Sequence, residues 1–86
     1  MEQDDIRVYV TVKAVFGPDG RVVPISVRWE NGKWYSVDRI LDIHRAVSPR
    51  TGTGGLRYTV NIGKQQTFLF LDQDRWFVER REKTAM

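Results

Sequence analysis

The stretch W-E-N-G-K-W, residues 29–34, decides how the first half of this chain folds. Asparagine followed by glycine is a strong signal for a hairpin turn. Apolar residues alternate with other residues before the turn, over residues 23–29, and after it, over residues 35–37. The stretch therefore predicts two antiparallel strands, and the length of the loop sets their register.

The length of this loop can be predicted from the requirement that apolar side chains of the two strands pair with one another. A two-residue turn would place Val27 opposite Ser36 and would mix the apolar face of one strand with the polar face of the next. A three-residue loop over residues 30–32, closed by its glycine in the left-handed region, places Val27 opposite Tyr35. The sequence therefore predicts the three-residue loop. In that register Trp29 points inward and Trp34 points outward.

The preceding strand extends the same pattern. Residues 6–16 alternate with period two, which is typical of a half-buried strand. If all four residues of G-P-D-G, residues 17–20, form the loop, Val12 lies opposite Ile25. Pro24 falls on the other phase, which indicates a sheet edge or a bulge at that point.

On the outer face this register predicts a row of Tyr9, Arg28 and Trp34 on neighbouring strands. One interpretation is that these side chains only stack on a solvated face, as aromatic and arginine neighbours often do. The functional interpretation is a platform that receives nucleic-acid bases or a partner's apolar side chain, while arginine supplies charge. Burial of the row under the tail or a second subunit is the third possibility.

The next segment, residues 33–47, is long for one strand. We expect it to bend and to cross between two sheets, with Arg39 marking the break in the apolar phase. A helix over residues 37–47 is the competing prediction, because its apolar residues also have helical spacing.

The pattern of the last third of the sequence predicts a three-strand meander with turns at Gly63-Lys64 and Gln73-Asp74. One face then carries the apolar residues Leu56, Tyr58, Val60, Leu69, Leu71, Trp76 and Val78. The other face carries Phe68, Phe70 and Phe77 beside Arg57 and Thr59. Either the sheet wraps over the phenylalanines, which we expect, or they form an exposed patch for a partner.

Residues 48–55, S-P-R-T-G-T-G-G, have the composition of a flexible loop and lack the G-K-[ST] of a phosphate-binding P-loop. An anion site built from Arg45, Arg50 and backbone amides is an alternative interpretation of this segment.

Composition predicts one small domain over residues 1–86, with an ordered core at about residues 6–80 and frayed tails at 1–5 and 81–86. The chain has 86 residues, no cysteine and a formal net charge of +3, with ten arginines against four lysines. No apolar run is long enough to span a membrane, and the acidic start is unlike a signal peptide. We therefore expect a cytoplasmic protein with no membrane partner. The charge suits an anionic partner, but the basic residues form no block.

A family resemblance follows from W-E-N-G-K-W-Y-S-V-D-R-I-L-D together with L-R-Y-T-V, F-L-F and W-F-V-E. These segments, within residues 20–80, resemble a group of short, uncharacterised bacterial all-β proteins with W-x-G-x-x-Y-x-V-x-x-V-L near the middle. The resemblance implies an SH3-like small barrel and assigns no activity. The W-x-G-x-x-Y-x-V part is also similar to a small domain of unknown function found near bacterial DNA-damage-tolerance proteins.

No enzyme motif is present. Asp38, Asp42 and His44 share the outer phase of one strand, but no motif places a nucleophile beside them, and their spacing is not that of a metal site. We expect no catalytic residue, no bound metal and no cofactor.

The sequence thus predicts a non-catalytic, all-β binding module, a single small antiparallel barrel or strongly bent sheet of five to six strands in a meander. A protein partner, which could be a second copy of the chain, is the first hypothesis. A nucleic-acid partner bound by an aromatic and arginine face is the alternative. The candidate binding residues are Tyr9, Arg28, Trp34, Arg45, Arg50 and Arg57.

Overall fold

The computed structural model describes residues 7–47 and 54–79, and all regular structure in these ranges is β-strand. The strands are β1 (Arg7–Tyr9), β2 (Thr11–Phe16), β3 (Val22–Arg28), β4 (Trp34–Ser36), β5 (Arg39–Val47), β6 (Gly54–Ile62), β7 (Gln65–Asp72) and β8 (Arg75–Glu79). They form a five-stranded sheet in the order β1-β8-β7-β6-β5 and a three-stranded sheet in the order β2-β3-β4. The all-β class is confirmed. The described part of the chain holds no helix that could cross a membrane.

The sequence predicts a single small antiparallel barrel or strongly bent sheet of five to six strands, whereas the described residues form eight strands in two antiparallel sheets that do not close into a barrel. The chain changes sheets after β1, where the Val10 N–H donates to the Trp76 carbonyl at 3.0 Å. The next residue, Thr11, already pairs with Arg28 of β3. β1 is therefore the edge strand of the five-stranded sheet, and β2 is the edge strand of the three-stranded sheet. The two sheets are joined by the chain at Val10 and not by strand pairing between β1 and β2.

The second change of sheet lies between β4 and β5. The Val37 N–H donates to the Ile25 carbonyl in the three-stranded sheet, and the Asp38 N–H donates to the Asn61 carbonyl in the five-stranded sheet. The predicted strand that bends and crosses between two sheets is confirmed, and the alternative helix over residues 37–47 is wrong. Strand propensity and cross-strand pairing outweigh the incidental helical spacing of the apolar residues.

The turn after Trp29 has the predicted three-residue loop. The Trp29 N–H donates to the Lys33 carbonyl and the Gly32 N–H donates to the Trp29 carbonyl, both at 2.9 Å. Gly32 has φ of 83°, in the left-handed region where a side chain is unfavourable. Val27 pairs with Tyr35, as the apolar pattern predicts.

The G-P-D-G turn repeats this arrangement and corrects the predicted four-residue loop. The Gly17 N–H donates to the Arg21 carbonyl at 2.8 Å, which leaves three residues in the loop. Gly20 has φ of 86°, as Gly32 does in the other turn. Asp19 Oδ1 accepts the N–H two residues later, and so does the side-chain oxygen of Asn31 in the second turn. The two loops close in the same way because each ends in an aspartate or asparagine followed by glycine.

The shorter loop and one bulge shift the register between β2 and β3. Val12 pairs with Val27 and not with Ile25. The pairing shifts between Lys13 and Ala14, which leaves Ile25 as the extra residue beside Pro24. The bulge predicted from the proline is therefore present, because a ring without an N–H fits best where the ladder is interrupted. Pro24 is fully buried and Ile25 is exposed.

Between the sheets lies a core of five buried residues, Val27, Tyr58, Val60, Leu69 and Val78. Leu56, Leu71 and Trp76 pack against it, so the inner face predicted for the meander is confirmed. Both meander turns fall where predicted, with Ile62 opposite Gln65 and Asp72 opposite Arg75.

Candidate binding face

The predicted row of Tyr9, Arg28 and Trp34 is divided between the two sheets. Arg28 and Trp34 lie opposite each other on β3 and β4, and the ammonium of Lys13 lies 4.7 Å from the Trp34 ring centroid. Tyr9 lies instead on β1 and pairs with Phe77 of β8. The row was wrong because the change of sheet at Val10 moves Tyr9 from β3 to β8.

Trp29, which is predicted to point inward, is not buried in the structure. Trp29 and Trp34 are 40% and 43% exposed, so both indole rings contact solvent. Trp29 follows Arg28, the last residue of β3. On the neighbouring segment, Val10 already bonds to Trp76 of β8 and no longer to β3. The inner face of the three-stranded sheet therefore ends before Trp29.

In its new position Tyr9 belongs to a larger surface on the five-stranded sheet. We define the aromatic-arginine face as Tyr9, Phe68, Phe70, Phe77, Arg7, Arg57 and Arg75. Neighbouring residues of a strand point to opposite sides, so these side chains lie on the side away from the core residues Tyr58, Leu69 and Val78. The paired residues Tyr9, Phe77, Phe70, Arg57 and His44 form one line across all five strands.

The four rings of this face form a continuous series of contacts. Phe70 and Phe77 are stacked, with centroids 5.0 Å apart and an interplanar angle of 6°. Tyr9 meets Phe77 edge to face at 5.6 Å, and Phe68 meets Phe70 edge to face at 6.4 Å. Both arrangements are favourable geometries for aromatic pairs.

Three arginines lie over three of these rings. The guanidinium carbon is 4.4 Å from the Tyr9 centroid for Arg75 and 4.8 Å from the Phe68 centroid for Arg57. Arg7 lies 5.8 Å from the Phe77 centroid. Contacts of this kind stabilise exposed sites by about 0.5–1 kcal/mol. For Arg57 and Arg75 they leave guanidinium N–H groups that can bind an anion.

The expectation that the sheet wraps over the phenylalanines is wrong, because the three-stranded sheet packs on the opposite side. The rings instead cover one another to different extents. Phe77, in the middle of the series, is 7% exposed, whereas Phe68 at its end is 44% exposed. The face thus has a packed centre and an accessible rim.

Among the predicted site residues, Arg57 combines a contact with an aromatic ring and a partly buried guanidinium group. Its Nε is buried and has no hydrogen-bond partner among the residues that the structure describes. A buried donor without a partner is energetically unfavourable. His44 lies opposite Arg57 on β5, and Arg45, which pairs with Leu56, lies on the other side of the sheet.

Of the predicted anion site of Arg45 and Arg50, the structure describes Arg45, which lies on the opposite side of the sheet from Arg57. Arg45 is exposed on β5 and points to the core side, and Arg50 lies outside the described residues. Of Asp38, Asp42 and His44, which were predicted to share a face, Asp42 and His44 lie on the same side of β5, whereas Asp38 precedes the strand. Asp38 Oδ2 accepts the Gly63 N–H at 2.9 Å and so fixes the turn between β6 and β7.

A cleft adjoins the face where the chain passes from β1 to the three-stranded sheet. It has a volume of about 230 Å³, and Tyr9, Arg28, Trp29 and Glu30 line it together with Val10, Thr11 and Gly32. The cleft brings Tyr9 and Arg28 to one place, although they lie on different sheets. Tyr9 forms its boundary with the aromatic-arginine face.

Trp34→Ala should change stability little, since the ring is on the solvent side of an edge strand and its described partner is the exposed Lys13. We expect the free energy of unfolding to fall by no more than about 1 kcal/mol in chemical denaturation. A loss of several kcal/mol would mean that the indole is buried and that the register of β4 is wrong.

Comparisons with protein-family models, with curated proteins and with solved structures found no match to this chain, so its function has to be inferred from the geometry of this surface.

Proposed function

We propose that the chain is a non-catalytic binding module whose aromatic-arginine face binds single-stranded nucleic acid. The observation that carries the proposal is the continuous contact of four rings with guanidinium groups over three of them. Nucleic-acid bases stack on aromatic rings and on guanidinium planes, and guanidinium N–H groups bind phosphate. Both kinds of contact are available on the same face.

Size and charge support this ligand. Five strands about 4.8 Å apart give the line from Tyr9 to His44 a length of about 19 Å. Stacked bases are about 3.4 Å apart along a strand, so several fit on the face. The formal net charge of +3 favours approach of a polyanion.

The affinity of a short fluorescent oligothymidylate should fall as salt increases. If Arg57 and Arg75 each neutralise one phosphate, log K should fall with log salt with a slope of about −1.4. Arg57→Gln should reduce the magnitude of that slope by about 0.7. Fluorescence anisotropy across a salt series measures both quantities.

Arg21→Gln is the matched control, because it removes the same charge at the turn between β2 and β3. Arg21 is exposed and lies 3.6 Å from Asp19, on the other sheet. The proposal predicts an unchanged slope for this variant. Equal slopes for the Arg57 and Arg21 variants, or binding that does not depend on salt, would contradict it.

A protein partner, which the sequence ranks first, is supported by a different surface. The three-stranded sheet and its connections expose large apolar residues, namely Val15, Phe16, Ile25, Trp29, Trp34 and Tyr35. Exposed apolar residues in this density are typical of surfaces that bind another chain. Binding there would change little with salt, which distinguishes it from the nucleic-acid hypothesis.

The finer description of the fold is also a proposal. Consecutive antiparallel strands that pass from one sheet to the other at two points support an open variant of the SH3-like architecture. Membership of the short bacterial all-β group and a cytoplasmic location stay predictions.

A further inference from the structure

The longest strand at a sheet edge is β5, Arg39–Val47, and it pairs with β6 alone among the described strands. Its other edge carries backbone N–H and C=O groups that a further strand could pair with. The other edge strand of this sheet, β1, has three residues. β5 therefore offers the largest template for pairing in the five-stranded sheet.

The side chains of β5 protect this edge only in part, by the charged residues Arg39, Asp42 and Arg45 and by an irregularity in the pairing at Leu41. Leu41 and Ile43 are 44% and 41% exposed, which is unfavourable for a solvated edge. Asp42 pairs with Thr59 and His44 pairs with Arg57, so both side chains lie on the aromatic-arginine side of the sheet. Ile43 pairs with the buried Tyr58 and lies on the opposite side.

The sequence of side chains along β5 is complementary to a second copy of β5 that runs antiparallel to it. In an antiparallel pair of identical strands, residues that face each other must lie on the same side of the sheet. Centring a two-fold axis on Ile43 places Ile43 opposite its own copy. It also places Asp42 of each strand opposite His44 of the other, so an acidic residue meets a basic one twice.

We propose that two copies of the chain pair antiparallel along β5, in the register that places Ile43 on the two-fold axis. Centring the axis on Asp42 or on His44 would oppose two identical ionisable groups, and centring it on Leu41 would place the axis at the irregularity in the β5–β6 pairing, so the Ile43 register is favoured. The paired sheets would then form one sheet of ten strands. Their aromatic-arginine faces would lie on the same side, although self-association does not depend on what that face binds.

Cysteine cross-linking tests the register directly, since the chain contains no cysteine of its own. Ile43→Cys should form a disulfide-linked dimer under mild oxidation, because facing residues of antiparallel strands bring their Cβ atoms close enough for a disulfide. Leu41→Cys is the matched control, equally exposed on the same strand but away from the axis. We expect at least about tenfold slower cross-linking for the control.

Sedimentation equilibrium of the unmodified chain tests the association itself. The dimer fraction should rise with concentration. Asp42→Arg removes the acidic partner of His44, and His44→Glu places two carboxylates opposite one another twice, so either substitution alone should weaken association by about tenfold. The double variant D42R/H44E restores opposite charges and should restore the dimer. A monomer at every concentration, equal cross-linking of the two cysteine variants, or no rescue in the double variant would overturn the proposal.

Discussion

Replacing Tyr58 by alanine is expected to lower the free energy of unfolding by about 3–5 kcal/mol, the largest effect of any single substitution considered for this chain. Tyr58 is fully buried between the two sheets and contacts Trp76, with ring centroids 5.4 Å apart. Its removal leaves a cavity that the surrounding strands can fill only in part. Urea denaturation of the two proteins measures the difference.

The Tyr58 hydroxyl adds a polar link between the sheets. It donates a hydrogen bond of 2.5 Å to the Val22 carbonyl, which joins β6 to the first residue of β3. Tyr58→Phe keeps the ring and removes only this bond, so it should cost about 1–2 kcal/mol. A Tyr58→Ala cost no larger than that of Tyr58→Phe would contradict the position of the ring in the core.

The same side chain predicts a loss of stability at alkaline pH. Burial raises the pKa of the Tyr58 hydroxyl above its ordinary value of 10.0. In the unfolded chain this hydroxyl loses its proton first, so the unfolded state is favoured as pH rises above about 10. Below that pH both states hold the proton and this contribution is constant. The Tyr58→Phe variant should lack the additional alkaline loss, which denaturation at pH 8 and at about pH 11 can detect.

Phe77→Ala is expected to cost about 3 kcal/mol, although Phe77 lies on the side of the sheet away from the main core. Its ring is buried between Phe70, Tyr9 and the Arg7 guanidinium. Phe68→Ala removes the same side chain at the exposed end of the face, and it should cost about 1 kcal/mol.

Chemical denaturation of the Phe77 and Phe68 variants side by side provides the comparison, and the wild-type chain is the reference. If the two substitutions had equal cost, the outer face would have no packed centre. The phenylalanines would then be a solvated patch and not a preorganised surface.

Local pattern was sufficient to predict much of this fold. The turn at residues 30–32 and both turns of the C-terminal meander follow from glycine, asparagine and aspartate at defined positions, together with the alternation of apolar residues. The same alternation predicted the buried side of β6, β7 and β8. The crossing of residues 33–47 between sheets followed from the length of that segment.

The features that sequence reasoning missed are nonlocal. The pairing of β1 with β8 joins the two ends of the described chain, and no local signal specifies it. The position of Tyr9 depends on that pairing, and so does the contact between Tyr9 and Arg75. The bulge at Ile25 was indicated by Pro24, but a proline does not determine how far the register shifts.

In the candidate site, too, the local contacts could be predicted from the sequence and the nonlocal contacts could not. Arg57 beside Phe68 could be predicted from the alternation within the meander, and the structure places them in contact. Arg7 was not predicted, because its ring partner Phe77 lies about seventy residues away along the chain.

The most direct test of the proposed function is an amide NMR titration of the isotopically labelled chain with a short oligothymidylate, at low salt and again near physiological salt. We expect chemical-shift changes at Tyr9, Arg57, Phe68 and Phe70 that become smaller as salt increases. Changes confined to the three-stranded sheet around Arg28 and Trp34, changes that do not depend on salt, or no changes at either salt would contradict binding of single-stranded nucleic acid by the aromatic-arginine face.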